Sequence, residues 1–431
     1  MKNILIIAGQ YFPFATPCSF RMHSFAKYLS RSGYQPYILA LPWTRELVDL
    51  NSYFGIGAFD SSYINRDTWP VIKIKCSVKR PPFLNRLLFD LLGIDSYPEL
   101  QKSSKKTIQE LWNKSPFKAI IATRPQSFGF DSLKLAHWAS KFYKVPWIAD
   151  FRDVEGQHNY PEIIWKDLPS KPGRIVGQIL YPLRSKIRSH YDIVLCRNAF
   201  ACTTVSQGLI NRLNLLGLSR VELLLNGYEP DEYEYVDAEK TNKFRIIYAG
   251  ALHQERDPSL LFDALDQLIK DRNEEFIQSL DLTFYGVGQE NIARFLEGRA
   301  CRSIVNCSPR VSKRSIQRKM KGSSILLHLS HANAKGIMTS KLTEYLGAKR
   351  PIMTIPGDND VVDAFLKDTN AGVSLGKIDA IKAYLLKQFE HWKLTGDTLY
   401  QSDKLAKKIY TREHQTMVLA KLLDEAIQQS C

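Results

Sequence analysis

Short, almost wholly apolar runs recur along this chain, each closed by a turn signal and followed by a segment with helical spacing. In the first half these are Ile4 to Ala8, Tyr37 to Leu41, Val71 to Ile74, Ala119 to Thr123, Pro146 to Asp153 with a charged tip, Ala201 to Ser206 and Val221 to Leu225. An acidic, polar stretch from Glu229 to Asn242 reads as a linker, and the alternation then begins again. Its second series is Phe244 to Ala249, Leu280 to Tyr285, Ile304 to Asn306, Ser324 to Leu329, Ile352 to Ile355 and Gly372 to Leu375. Runs that are apolar throughout predict strands buried on both faces, hence parallel sheets covered by helices. At 431 residues the chain is too long for one core. The expected fold class is therefore α/β, with two Rossmann-like doubly wound domains. They span 1–235 and 236–400, and a closing C-terminal helix over 401–431 is placed to pack back on the first domain.

The charge balance narrows the partners. The formal net charge is +15, which favours an anionic partner. The basic residues are dispersed and no nucleic-acid-reading motif occurs, so phosphorylated ligands and an acidic membrane face are expected and nucleic acid is not. The seven cysteines are scattered without a CxxC pair, which fits reduced thiols in the cytoplasm better than a zinc or disulfide framework. No apolar run reaches membrane-spanning length, so any membrane contact is expected to be peripheral, on the cytoplasmic face. Segments 79–92 and 171–188, basic and apolar together, are candidates for it.

The stretch from Lys335 to Pro351 carries the clearest chemical signal. A loop runs into Thr339 and Ser340, both good N-cap residues. Leu342, Tyr345 and Leu346 then share one helical face, and Gly347 with the Lys349-Arg350-Pro351 run ends the helix. The first amides of a helix lack intrahelical partners and its dipole is positive there, so the site suits an anion, and Lys341 adds a full charge. Glu344 has no capping task and could accept hydrogen bonds from ribose hydroxyls. An ordinary capped helix with a surface Glu–Lys pair is the alternative. In the first half, Asp150, Arg152 and Asp153 crowd one strand tip, and Arg21 in the first turn of the first helix could point back toward it. A structural ion pair and a solvated arginine are the alternatives there.

Three motifs and the twofold architecture resemble a GT-B glycosyltransferase, most nearly glycosyltransferase family 4 of the bacterial surface-polysaccharide type. Thr339-Ser-Lys-Leu-Thr-Glu-Tyr-Leu-Gly-Ala-Lys-Arg-Pro351 is similar to that family's small residue, Lys, Glu-Tyr and strand-opening Pro. Tyr248 to Pro258 resembles its donor-phosphate loop, and Asp150-Phe-Arg-Asp153 its acidic strand tip. The resemblance implies two domains facing a central cleft. It implies that Gly250, Arg256 and Lys341 hold a diphosphate, with Arg256 and Lys341 stabilising the leaving group. Ser340 would donate to it, Glu344 would bind ribose, and Arg310 and Val311 would border the base. Asp150, Asp153, Thr123 and Arg21 would face the acceptor, with Asp153 among the catalytic groups. Two departures stand out: Gly336 occupies the place of the first of the family's paired glutamates, and Thr123 and Arg124 stand where many members carry a His.

The implied activity is transfer of a hexosyl or N-acetylhexosaminyl group from a nucleoside-diphosphate sugar to a glycan or lipid-linked acceptor, retaining and metal-independent, in polysaccharide biosynthesis. No cofactor is expected. Asp358-Asn-Asp360 has the spelling of a metal-binding Asp-x-Asp but sits in an expected turn, and no metal ligand is assigned. A nucleotide-binding protein without turnover and a nucleotide-sugar epimerase are the alternative functions.

Overall fold

The computed structural model describes residues 1–45, 59–61, 68–74, 98–124, 130–152, 171–252, 256–330 and 336–430; within these, side chains 98, 171–181, 184 and 404–406 are not described. The chain forms two compact units, 1–225 with 415–431, and 226–414. The division thus falls at Leu225 and Asn226 rather than near residue 235.

In the first unit, β1 (Lys2–Ala8), β2 (Tyr34–Ala40), β3 (Val71–Lys73), β4 (Ala119–Arg124), β5 (Trp147–Phe151), β6 (Ala201–Thr204) and β7 (Val221–Leu223) form a sheet in the order β3-β2-β1-β4-β5-β6-β7. Neighbouring strands are parallel, with Ile6 of β1 opposite Ile38 and Ile121. Successive side chains of a strand point to opposite faces. Accordingly Leu5 and Ile7 enter one apolar cluster while Ile4, Ile6 and Ala8 enter another, which is why β1 is apolar at every position. Helix α1 (Pro17–Arg31) starts at Thr16, whose hydroxyl accepts from the Ser19 amide at 3.2 Å, with Pro17 preset for the first turn. Among the described residues before Asn226 the other helices are α2 (Pro98–Lys114), α3 (Ser132–Tyr143), α4 (Lys171–Cys196) and α5 (Gln207–Leu215).

In the second unit, β8 (Phe244–Ala249), β9 (Leu280–Tyr285), β10 (Val305–Ser308), β11 (Ile325–Leu329), β12 (Ile352–Ile355) and β13 (Gly372–Ser374) form a second parallel sheet in the order β10-β9-β8-β11-β12-β13. Helices α6 (Pro230–Glu234), α7 (Ser259–Lys270), α8 (Glu274–Ser279), α9 (Gln289–Leu296), α10 (Lys313–Lys321), α11 (Ser340–Ala348), α12 (Val361–Thr369), α13 (Ile378–Thr395) and α14 (Lys404–Ile409) belong to it. The expected linker is part of this unit. Glu232 pairs with Lys313 at 3.1 Å, and Glu239 with Arg245 and Lys319 at 2.9 Å each. Its acidic composition therefore matches a basic helix rather than solvent.

The expected single closing helix is two. A break at Tyr410 and Thr411 separates α14 from α15 (Arg412–Gln429). Within the first unit, Leu419, Leu422 and Leu423 of α15 join the cluster that holds Ile4 and Ile6. Asp424 accepts from Lys2 at 2.5 Å and from the Tyr34 hydroxyl at 2.7 Å.

Candidate anion site of the second unit

The site grows from the C-terminal end of β8. Tyr248 is wholly buried against Phe284, with ring centroids 5.3 Å apart, and only its hydroxyl reaches the strand end. Two residues on, the chain turns at Gly250 with φ of +121°, a conformation side chains resist. A methyl group there would lie 2.3 Å from Lys341 Cε and 2.7 Å from its Nζ, so the lysine passes directly over the glycine.

Helix α11 carries Lys341 to that place. Its apolar face, Leu342, Tyr345 and Leu346, is buried. The Tyr345 hydroxyl accepts from the Ala249 amide at 2.8 Å and donates to the Leu327 carbonyl at 3.1 Å, pinning the helix to the end of β8 and the middle of β11. The helix starts at Thr339 without a side-chain cap, the Thr339 hydroxyl lying instead 3.3 Å from His328 Nε2. Ser340, half-buried, is its first residue.

Lys341 and Arg256 converge on one phenol. Lys341 Nζ donates to Tyr248 Oη at 2.8 Å and sits 4.2 Å from the ring centroid. Arg256, 7% exposed, donates from Nη1 to the same oxygen at 3.1 Å and to the Ala251 carbonyl at 3.3 Å. The Tyr248 hydroxyl in turn donates to Ala251 at 2.9 Å. Among the described residues no carboxylate forms an ion pair with Lys341. Burial, reinforced by the neighbouring guanidinium, pushes its ammonium well below the usual lysine range. Two basic side chains held together beside an uncapped helix start, over a glycine that leaves the backbone open, are chemically suited to a doubly charged anion.

The structure thus joins Gly250, Arg256 and Lys341 and sets Ser340 next to them in the helix start. Arg310, exposed, and Val311, half-buried, follow β10 at the same C-terminal edge of the sheet. Glu344 has a different setting from the expected one. Its carboxylate accepts from the Tyr233 hydroxyl at 2.8 Å, Lys313 at 3.0 Å and Arg412 at 3.1 Å. A carboxylate held by two cations and a phenol is a tie within the second unit between α6, α10, α11 and Arg412, not an open acceptor for ribose. Asp358 is likewise engaged: its two oxygens accept from the amides of Asp360, Val362 and Asp363 at 2.9–3.1 Å, so it caps α12. The Asp360 carboxylate accepts from the Gly336 amide. Among the described residues no group of three side chains is arranged to hold a metal ion.

The candidates of the first unit are corrected as well. Asp150, fully buried, takes a two-pronged contact from Arg21, with Nη2 at 2.8 Å from Oδ1 and Nε at 3.0 Å from Oδ2. It also accepts from Thr203 at 2.8 Å and Thr123 at 3.2 Å. Arg21 donates further to the carbonyls of Leu224 and Leu225 at 2.8 and 2.9 Å. Arg21, Asp150 and Thr123 therefore form a closed, buried network that ties α1 to β5, β6 and the end of the unit. The structural ion pair is the reading the geometry favours, because Arg21 and Asp150 bond to each other and to protein partners on every side the contacts show. Asp153 lies outside the described residues.

Sequence reasoning missed Tyr248, the shared acceptor, and the partners of Glu344. A tyrosine in an otherwise aliphatic strand end was the available signal, since a buried phenol needs a partner for its hydroxyl.

The Glu344 network makes an acid-stability prediction. Burial alone would raise the Glu232 carboxyl, but the charges of Lys313 and Arg412 outweigh it and bring it down to about 2. A carboxylate depressed in the folded state stabilises it above the unfolded value and loses that stabilisation as pH falls toward the folded one. The second unit should lose about 3 kcal/mol between about pH 5 and pH 2 from this group. Urea melts across that range should show the loss, and Lys313→Met should shrink it while lowering stability at neutral pH.

No protein-family model matches the chain, and no curated protein matches it in sequence. Solved structures do match its fold. Anabaena HepE in complex with UDP-glucose superposes with a TM-score of 0.58 at 14% identity, over 99% of this chain and 100% of that one. WaaG, a glycosyltransferase involved in lipopolysaccharide biosynthesis, gives 0.51 at 14% identity, over 99% of each. A candidate UDP-N-acetylglucosamine 2-epimerase from Listeria monocytogenes gives 0.51 at 10% identity, over 99% and 97%. Two parallel α/β units, an open helix start beside paired cations in the second of them, and these matches along nearly the whole chain identify the fold as GT-B.

Proposed function

We propose that this protein is a glycosyltransferase that moves a hexosyl or N-acetylhexosaminyl group from a nucleoside-diphosphate sugar to a glycan or lipid-linked acceptor at a membrane face, in polysaccharide assembly. The observation that carries this is the convergence of Lys341 and Arg256 on Tyr248, over Gly250 and beside the start of α11. These groups bind the diphosphate. When the bond between the sugar's anomeric carbon and the β-phosphate oxygen breaks, the electron pair stays on phosphate. The two cations and the helix amides stabilise that charge without a divalent ion. The acceptor hydroxyl oxygen takes the carbon from the same face, with retention, and its proton passes to the departing phosphate. A UDP-sugar is the first donor to test, because HepE was solved with UDP-glucose.

The test is a thermal-shift panel of UDP, GDP, ADP and CMP with their sugar forms, followed by turnover of the best binder in chelator. One nucleoside diphosphate should raise the melting temperature, and its sugar should be consumed only when acceptor is present. Consumption without acceptor would favour an epimerase, the reading suggested by the Listeria match. Binding without turnover over a broad acceptor panel would favour a nucleotide-binding protein.

A further inference from the structure

Helix α3 in the first unit presents an unusual outer face. Lys134, Trp138, Lys141 and Phe142 follow one another at helical spacing on it. They line a groove of about 440 Å³ between α2, α3 and α4, to which Lys105 of α2 and Tyr191 of α4 also contribute. Trp138 and Phe142 are stacked, ring centroids 5.5 Å apart at 24°, and Phe142 is 60% exposed. Lys105 Nζ lies 5.0 Å from the centre of the Trp138 ring. Among the described residues no acidic side chain lines the groove. None occurs in the sequence between Asp131 and Asp150, and Asp131 is buried, where it accepts from the Lys134 amide at 3.0 Å to cap α3.

An exposed aromatic pair flanked by lysines fits one kind of surface. Aromatic rings settle at the boundary between headgroups and acyl chains, and lysines complement anionic lipid. An acidic protein partner would match the lysines, but a ring more than half exposed beside a second ring asks for a surface it can enter.

We propose that the face formed by Lys105, Lys134, Trp138, Lys141 and Phe142 docks this protein on an anionic lipid bilayer, with Phe142 and Trp138 inserted at headgroup depth. This deepens the membrane-facing part of the proposed function. It is measured without nucleotide, so its failure leaves the donor site untouched.

The experiment is co-sedimentation of the full chain with vesicles of phosphatidylcholine alone and of phosphatidylcholine mixed with phosphatidylglycerol. Wild-type protein should bind only the anionic vesicles and release as salt is raised. Phe142→Ala, and separately Lys105→Gln with Lys141→Gln, should each lower the partition coefficient at least about tenfold. Both variants alter side chains at the surface, and unchanged thermal melting verifies their fold. Absence of binding to anionic vesicles, binding to phosphatidylcholine alone, or variants that bind like wild type would each overturn the proposal. Binding of poly-glutamate that outcompetes vesicles and ignores Phe142→Ala would overturn it in favour of an acidic polypeptide partner.

Discussion

Arg21→Ala should lower the stability of the first unit by about 3–5 kcal/mol, the largest single effect expected outside the apolar core. Arg21 is 5% exposed and donates to both oxygens of Asp150, which is itself fully buried. Removing the guanidinium leaves the carboxylate with only the hydroxyls of Thr203 and Thr123, and leaves the carbonyls of Leu224 and Leu225 without their donor. An uncompensated buried charge is what makes such losses large. Replacing both partners by apolar residues, Arg21→Met with Asp150→Leu, should therefore cost less than Arg21→Ala alone. Denaturant melts of wild type, the single variant and the double variant make the comparison. A small effect of Arg21→Ala would mean that the network is not a structural tie and would return Asp150 to the list of acceptor-side groups.

Lys341→Ala should weaken nucleoside-diphosphate binding by about 1.5–3 kcal/mol, roughly 10- to 150-fold in Kd. The same change should leave the fold as stable as before or more so, because it removes a half-buried cation repelled by the Arg256 charge. This opposition of binding and stability separates a site residue from a structural one. The pH dependence follows from the same crowding. Burial and Arg256 hold Lys341 well below the usual lysine range in the free protein, and a bound diphosphate raises it. Below the free-protein value the ammonium is charged in both states and affinity is greatest. As pH rises through that value, binding must take up a proton and affinity falls, until the bound-state value is passed and the dependence levels off. Lys341→Met should remove this slope, and titrations at several pH values would reveal it.

The architecture was legible because parallel strands covered on both faces leave an unbroken apolar run, as in Ile4 to Ala8 and Phe244 to Ala249. The meeting of Gly250 and Lys341 was legible for a related reason. Gly250 ends a strand and Lys341 starts a helix, so local signals fix where both stand. Glu344 could not be read in the same way. Its partners Lys313 and Arg412 lie on helices far away in sequence, and nothing in its own window shows them. The stretch from Glu229 to Asn242 was misjudged for the same reason: acidic composition marks a solvated linker or one half of an ion-paired contact, and only the fold shows α10 opposite it. Arg21 and Asp150 illustrate a further limit. Charged groups at strand ends serve substrates and structure alike, and the distinction lies in whether protein fills their hydrogen-bonding capacity.

The central claim is that Lys341 and Arg256, joined through Tyr248 at the start of α11, recognise a diphosphate. Calorimetric titration of UDP and of uridine monophosphate, in buffers with different heats of ionisation, tests it most directly. The account predicts that the diphosphate binds at least about tenfold more tightly, that its binding takes up a proton once the pH exceeds the free-protein value of Lys341, and that Lys341→Ala abolishes both differences. Equal affinity for the two nucleotides with no proton taken up, or a Lys341→Ala variant that behaves as wild type, would contradict it.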